Sequence, residues 1–75
     1  MSDLREVDAR GLYCPIPVLR LAAALRPLAL GDRVRLIATD PAVVADMEAF
    51  SAAGKARVIA KSESAGLFVF EVEKI

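Results

Sequence analysis

Asp8-Ala9-Arg10-Gly11-Leu12-Tyr13-Cys14-Pro15-Ile16-Pro17 is the stretch on which the fold turns. Its first residues close a short strand, Leu4 to Ala9, which Arg10-Gly11 ends. Its last four read as a helix start. The residue before a proline is held in extended geometry, and an N-cap residue needs that geometry. Cys14 is therefore expected at the N-cap, Pro15 at the first helical position and Pro17 in the same turn. The prolines fix two φ angles and remove two backbone donors. The Ile16 N–H remains, two residues beyond Cys14, where an N-cap side chain finds its partner. One such hydrogen bond and the positive end of the helix predict a modestly lowered thiol pKa.

Working outward, Val18, Leu21, Ala22, Leu25 and Leu28 fall on one face of a helix running from Pro15 to about Leu28. Gly31-Asp32 marks its exit. Arg33 to Thr39 alternates, with Val34, Leu36 and Ala38 on one side and Arg33 and Arg35 on the other. Asp40-Pro41 repeats the helix-start logic, and Val43, Val44, Met47 and Phe50 form a second apolar stripe that stops near Gly54. Ala56–Ser62 and Leu67–Glu73 read as a hairpin joined at Ser64-Ala65-Gly66. Arg35, Arg57, Lys61, Glu71 and Glu73 are expected to share a solvated sheet face. The resulting fold class is α/β: a two-layer sandwich in the order β-α-β-α-β-β, two helices on one face of a four-stranded mixed sheet. The first two strands should run parallel and the last two antiparallel.

Seventy-five residues indicate one domain spanning 1–75, near the lower size limit for folding without staples. One cysteine and no histidine exclude an internal disulfide, a dithiol cycle and a Cys-His pair, and no structural zinc site or other metal is expected. Stability must come from apolar burial, consistent with a 56% hydrophobic content. Ten basic and ten acidic residues leave no net charge, which argues against a direct nucleic-acid partner. The charged N-terminus lacks a signal-peptide core, and Arg20, Arg26 and Asp32 break the most apolar stretch, so no membrane span is expected. The expected location is cytoplasmic, where the thiol stays reduced.

The pattern Asp8-x-x-Gly11-x-x-Cys14-Pro15-x-Pro17 resembles the TusA/SirA-like family of small sulfur-carrier proteins. The likeness continues through Gly31-Asp32, Ala38-Thr39-Asp40-Pro41, Asp46, Phe50 and Gly66, and so covers nearly the whole chain. It implies the same two-layer sandwich, and a sulfurtransferase-type carrier in which Cys14 receives sulfane sulfur as a persulfide and passes it on. It implies a donor protein of the cysteine desulfurase or rhodanese type, an acceptor protein, and no cofactor. Ile16 stands where the tRNA-thiolation branch of the family has Glu, and Ser51 where some relatives have a second cysteine. The carrier chemistry survives both departures; the acceptor's identity does not follow.

Around Cys14, Gly11, Pro15, Ile16 and Pro17 are expected to shape the site, Gly11 through the sharp strand-to-helix turn. Arg10 could offer a cation to the sulfur, against its reading as a solvated strand-end residue. Asp40 comes within reach if both helices start at the same end of the sheet; otherwise it is a helix cap, and Asp46 a helix-surface carboxylate. Ile16, Leu19, Arg20 and Ala23 lie opposite the core stripe of the first helix and form a candidate docking patch beside the thiol. Two rival readings use the same tip: a binding or regulatory module indifferent to the sulfur, and a redox-sensing thiol.

Overall fold

The strand with the strictest alternation, β2 (Arg33–Ala38), buries Val34, Leu36 and Ala38 completely. The computed structural model describes residues 5–75, so the expected strand start at Leu4 lies outside the described residues. The remaining elements are β1 (Arg5–Ala9), α1 (Ile16–Leu25), α2 (Val43–Ala52), β3 (Ala56–Ser64) and β4 (Leu67–Lys74). The strands form one sheet in the order β1-β2-β4-β3. β1 pairs with β2 in parallel, while β4 is antiparallel to both β2 and β3. This is the mixed sheet expected from the sequence, with the last strand inserted between β2 and β3.

Register places the apolar positions in rows. Val34 faces Val72, Leu36 faces Phe70, and Ala38 faces Phe68; Ala9 continues the last row on β1. Directly opposed residues share a face, so these rows make a continuous apolar floor. Leu21 and Leu25 of α1 and Val43 and Met47 of α2 are buried against it. Among the described residues, no helix is long and apolar enough to cross a membrane.

Three features depart from expectation, beside element ends that differ by one or two residues. α1 ends at Leu25, because Pro27 has no N–H to donate to the carbonyl one turn back. Leu28 is still buried, in a tight turn where its N–H reaches the Leu25 carbonyl at 3.0 Å. Lys74 Nζ donates to the Arg26 carbonyl at 3.0 Å, a cation placed at the helix C-terminus. α2 begins at Val43, two residues later than Asp40-Pro41 suggested. Finally, a bulge between Val58 and Ala60 inserts one residue and reverses the facing of β3 beyond it. Lys61 consequently sits opposite Phe70, on the helix side, and not with Arg35 and Glu71 on the open face. There it borders a groove of about 640 Å³ with Val44, Met47 and Phe70.

Candidate functional site

The site grows from the C-terminal ends of the two parallel strands. After β1 the chain turns at once: the Leu12 N–H donates to the Ala9 carbonyl at 3.1 Å, with Gly11 at φ +79. That φ lies in the left-handed region, which glycine enters without steric cost. The Gly11 N–H donates to Thr39 Oγ1 at 2.9 Å, tying the turn to the end of β2. Both strands point the same way, so the β1–α1 and β2–α2 connections emerge side by side.

Cys14 lies one position before the cap of α1. Pro15 takes the N-cap position (φ −99, ψ 17) and Pro17 falls at the second helical residue, where a missing donor has no intrahelical consequence. The Cys14–Pro15 peptide bond is cis. The Ile16 N–H donates to the Tyr13 carbonyl at 2.8 Å, and the Pro15 carbonyl accepts from the Leu19 N–H at 3.1 Å. The expected N-cap role of Cys14 and its hydrogen bond from Ile16 are thus both replaced. Pro17 is fully buried, so its ring anchors the turn to the core.

Cys14 itself is a free, exposed thiol. Its N–H donates to Asp40 Oδ2 at 2.9 Å, while Asp40 Oδ1 accepts from the Ala42 N–H at 3.1 Å. One carboxylate therefore clamps the cysteine loop to the start of α2. Those two backbone donors hold the Asp40 carboxyl below the usual range. The thiol moves the other way from expectation: its pKa is raised. Hydrogen bonding of the thiol to the Asp46 carboxylate is the main cause, followed by desolvation, the Asp46 charge and the Asp40 charge. Among the described residues, Asp46 Oδ2 is buried with no hydrogen-bond partner.

Asp46 is thus no mere helix-surface carboxylate. The sequence signal available was its place in the first turn of a helix that starts at the same sheet end as the thiol. Arg10 is engaged elsewhere: its Nε and an Nη reach Asp8 at 2.9 and 2.8 Å. Asp8 is lowered to about 2 by that pairing. Ile16, Leu19, Arg20 and Ala23 are all exposed on the outer side of α1. Tyr13, which the sequence reading did not single out, joins them at 74% exposure, beside Ile16 at 40% and Leu19 at 56%.

This geometry can be compared with known proteins. A family described as Sulfurtransferase TusA matches residues 5–74. The chain belongs to the TusA family. A sulfur carrier protein TusA of Allochromatium vinosum is 37% identical over 75 residues, covering 99% of both chains. The protein of the same name from Pseudomonas entomophila is 35% identical over 77 residues, covering 99% of this chain and 96% of its own. That of Pseudomonas putida strain GB-1 is 37% identical over 68 residues, 91% of this chain and 85% of its own. Within the TusA family match lies the whole cysteine loop with both of its carboxylates.

Proposed function

We propose that this protein is a sulfur carrier in which Cys14 accepts sulfane sulfur as a persulfide and delivers it to a partner protein. The observation that carries the reading is the placement of the chain's one cysteine, free and exposed, at the head of α1 in a member of this family. Loading forms one bond and breaks one. The Cys14 thiolate attacks the outer sulfur of a donor persulfide, the Sγ–S bond forms, and the donor's sulfur leaves with the electron pair and takes up a proton. Delivery is the same exchange with an acceptor in the attacking role. Nucleophilicity resides in the sulfur, so no histidine is needed, and no second cysteine in the chain can discharge the persulfide internally.

The protein acts with partners, not as a stand-alone turnover enzyme: a donor of the cysteine desulfurase or rhodanese type and a separate acceptor, meeting in the cytoplasm. Gly11, Pro15 and Pro17 shape the tip, Asp40 fastens it, and Tyr13, Ile16, Leu19, Arg20 and Ala23 offer the surface on which partners rest. The test is direct. Incubated with a cysteine desulfurase and cysteine, or a rhodanese and thiosulfate, the reduced protein should gain the mass of one sulfur atom, and Cys14→Ser should gain none. No gain, or an equal gain in Cys14→Ser, refutes the proposal. Sulfenic acid formation without sulfane transfer would point instead to a redox sensor.

A further inference from the structure

β3 is the longest strand among the described residues, and it lies at an edge of the sheet. One side of its backbone pairs with β4; the other side meets no strand among the described residues. A long open edge without proline is a template for a further strand. The bulge between Val58 and Ala60 interrupts it and leaves Ala60 to Ser64 as the regular stretch. Along that stretch Lys61 stands opposite Phe70 and Glu63 opposite Phe68, so both face the helix layer. Both are exposed, and neither forms an ion pair among the described residues.

The helix layer stops short of this edge. α1 packs on β1 and β2, and α2 on β3. Beyond α2 lies the open groove of about 640 Å³, with Met47, Ser51 and Ala52 contributed by the helix and Val58 and Ile59 by the edge strand. The edge therefore presents two things together: unpaired backbone groups and an apolar surface beside them. A second copy of the chain can cover both. Two copies of β3 can pair antiparallel about a twofold axis normal to the sheet, which keeps the helices of both on one face.

Charge then selects the register. Directly opposed residues share a face, so only registers centred on a residue set helix side against helix side. Centring on Lys61 opposes two lysines, and centring on Glu63 opposes two glutamates; like charges directly opposite are destabilising. Centring on Ala60 runs into the bulge, and centring on Ser64 runs into the turn at Ala65-Gly66. Centring on Ser62 places Lys61 opposite Glu63 of the partner subunit and Glu63 opposite Lys61 of the partner subunit. We propose that the protein self-associates through β3 in this register, as an isologous dimer that doubles the four-stranded sheet and brings the second α2 up to the groove. Cys14 follows β1, at the opposite edge of the sheet. Both thiols stay open in the dimer, and the inference stands apart from the carrier reading.

Sedimentation velocity of the full chain, at concentrations up to about 1 mM, reads the mass in solution. The wild type should pass from its chain mass of 8.0 kDa to twice that value as concentration rises. Lys61→Glu alone, or Glu63→Lys alone, opposes like charges at both crossings and should weaken association about tenfold or more. Mixing the two single variants sets acid against base again and should restore it. The double variant Lys61→Glu/Glu63→Lys, complementary to itself, should also associate as the wild type does. Circular dichroism confirms that each variant is folded, and recovery in the mixture or the double variant ties the effect to the register. A wild type that stays monomeric throughout overturns the inference and leaves the groove to a different occupant. Association untouched by the single variants, or recovered by neither the mixture nor the double variant, overturns it as well.

Discussion

Asp8 and Asp40 show how single carboxylates at the strand ends do different work. Asp8 is held down to about 2, chiefly by the Arg10 side chain and then by the Arg10 N–H. A depressed carboxylate contributes stability that is full above its unfolded value of about 4 and is lost as pH falls through the folded value. The Asp8–Arg10 pair should therefore persist between about pH 4 and pH 2, where unpaired carboxylates are already protonated. A carboxyl-detected NMR titration should find the Asp8 midpoint near 2, and Arg10→Gln should return it toward the ordinary range; an ordinary midpoint in the wild type would contradict the pairing. Asp40 is also depressed, here by the Cys14 and Ala42 N–H groups. Its sign is the same: the clamp is intact at neutral pH and loosens as acid protonates the carboxylate. Asp40→Ala should accordingly speed hydrogen exchange at the Cys14 amide at neutral pH and leave the sheet amides protected. Uniform acceleration across the sheet would mean that Asp40 supports the fold and not the loop.

Among the elements, the β3–β4 connection is the least comfortable. Ala65 and Gly66 both take positive φ, +53 and +79, in a two-residue hairpin between Ser64 and Leu67. Such turns favour Asn-Gly, because a residue with Cβ costs about 1–2 kcal/mol in the left-handed region and Asn least among them. Ala65→Asn should stabilise the domain by about 0.5–1 kcal/mol, raising Tm by about 2–8 °C for a chain this short. An unchanged Tm would show that the turn is relieved in another way. Six elements in their correct order were legible because alternation and apolar stripes are local properties: Val34, Leu36 and Ala38 declare a strand wherever it lies. What escaped was set by neighbours. The bulge at Ile59 carries no sequence mark strong enough to override simple parity, so Lys61 was placed on the wrong face. At the site, Cys14, its exposure on the helix tip and the reach of Asp40 could be framed from residues alone. The rise in the thiol's pKa could not, because Asp46 meets the sulfur only once α1 and α2 start from the same sheet end.

At the scale of the whole molecule, α1 separates a buried core face from the exposed face on which partners are proposed to rest. Its inner side sets fully buried Leu21 against a core that includes Leu36, Val43 and Met47. Its outer side holds Ile16, Leu19, Arg20 and Ala23 in solvent. The two faces should respond to mutation independently, since one is removed from water on folding and the other stays in it. Leu21→Ala leaves a cavity and should cost about 2–5 kcal/mol, a large share of the roughly 5–15 kcal/mol that holds a domain together. The sulfur transferred per folded molecule should nevertheless stay unchanged. Ile16→Glu should change stability by less than about 0.5 kcal/mol, because the position is solvated and an acidic residue suits the first turn of a helix. It should weaken transfer to a partner that rests on the apolar patch, and leave alkylation of Cys14 by a small reagent near its wild-type rate. Urea unfolding read beside partner-dependent transfer separates the cases. If Ile16→Glu leaves transfer at the wild-type rate, the outer face of α1 is ordinary surface, and recognition must then rest on the cysteine loop and its two carboxylates.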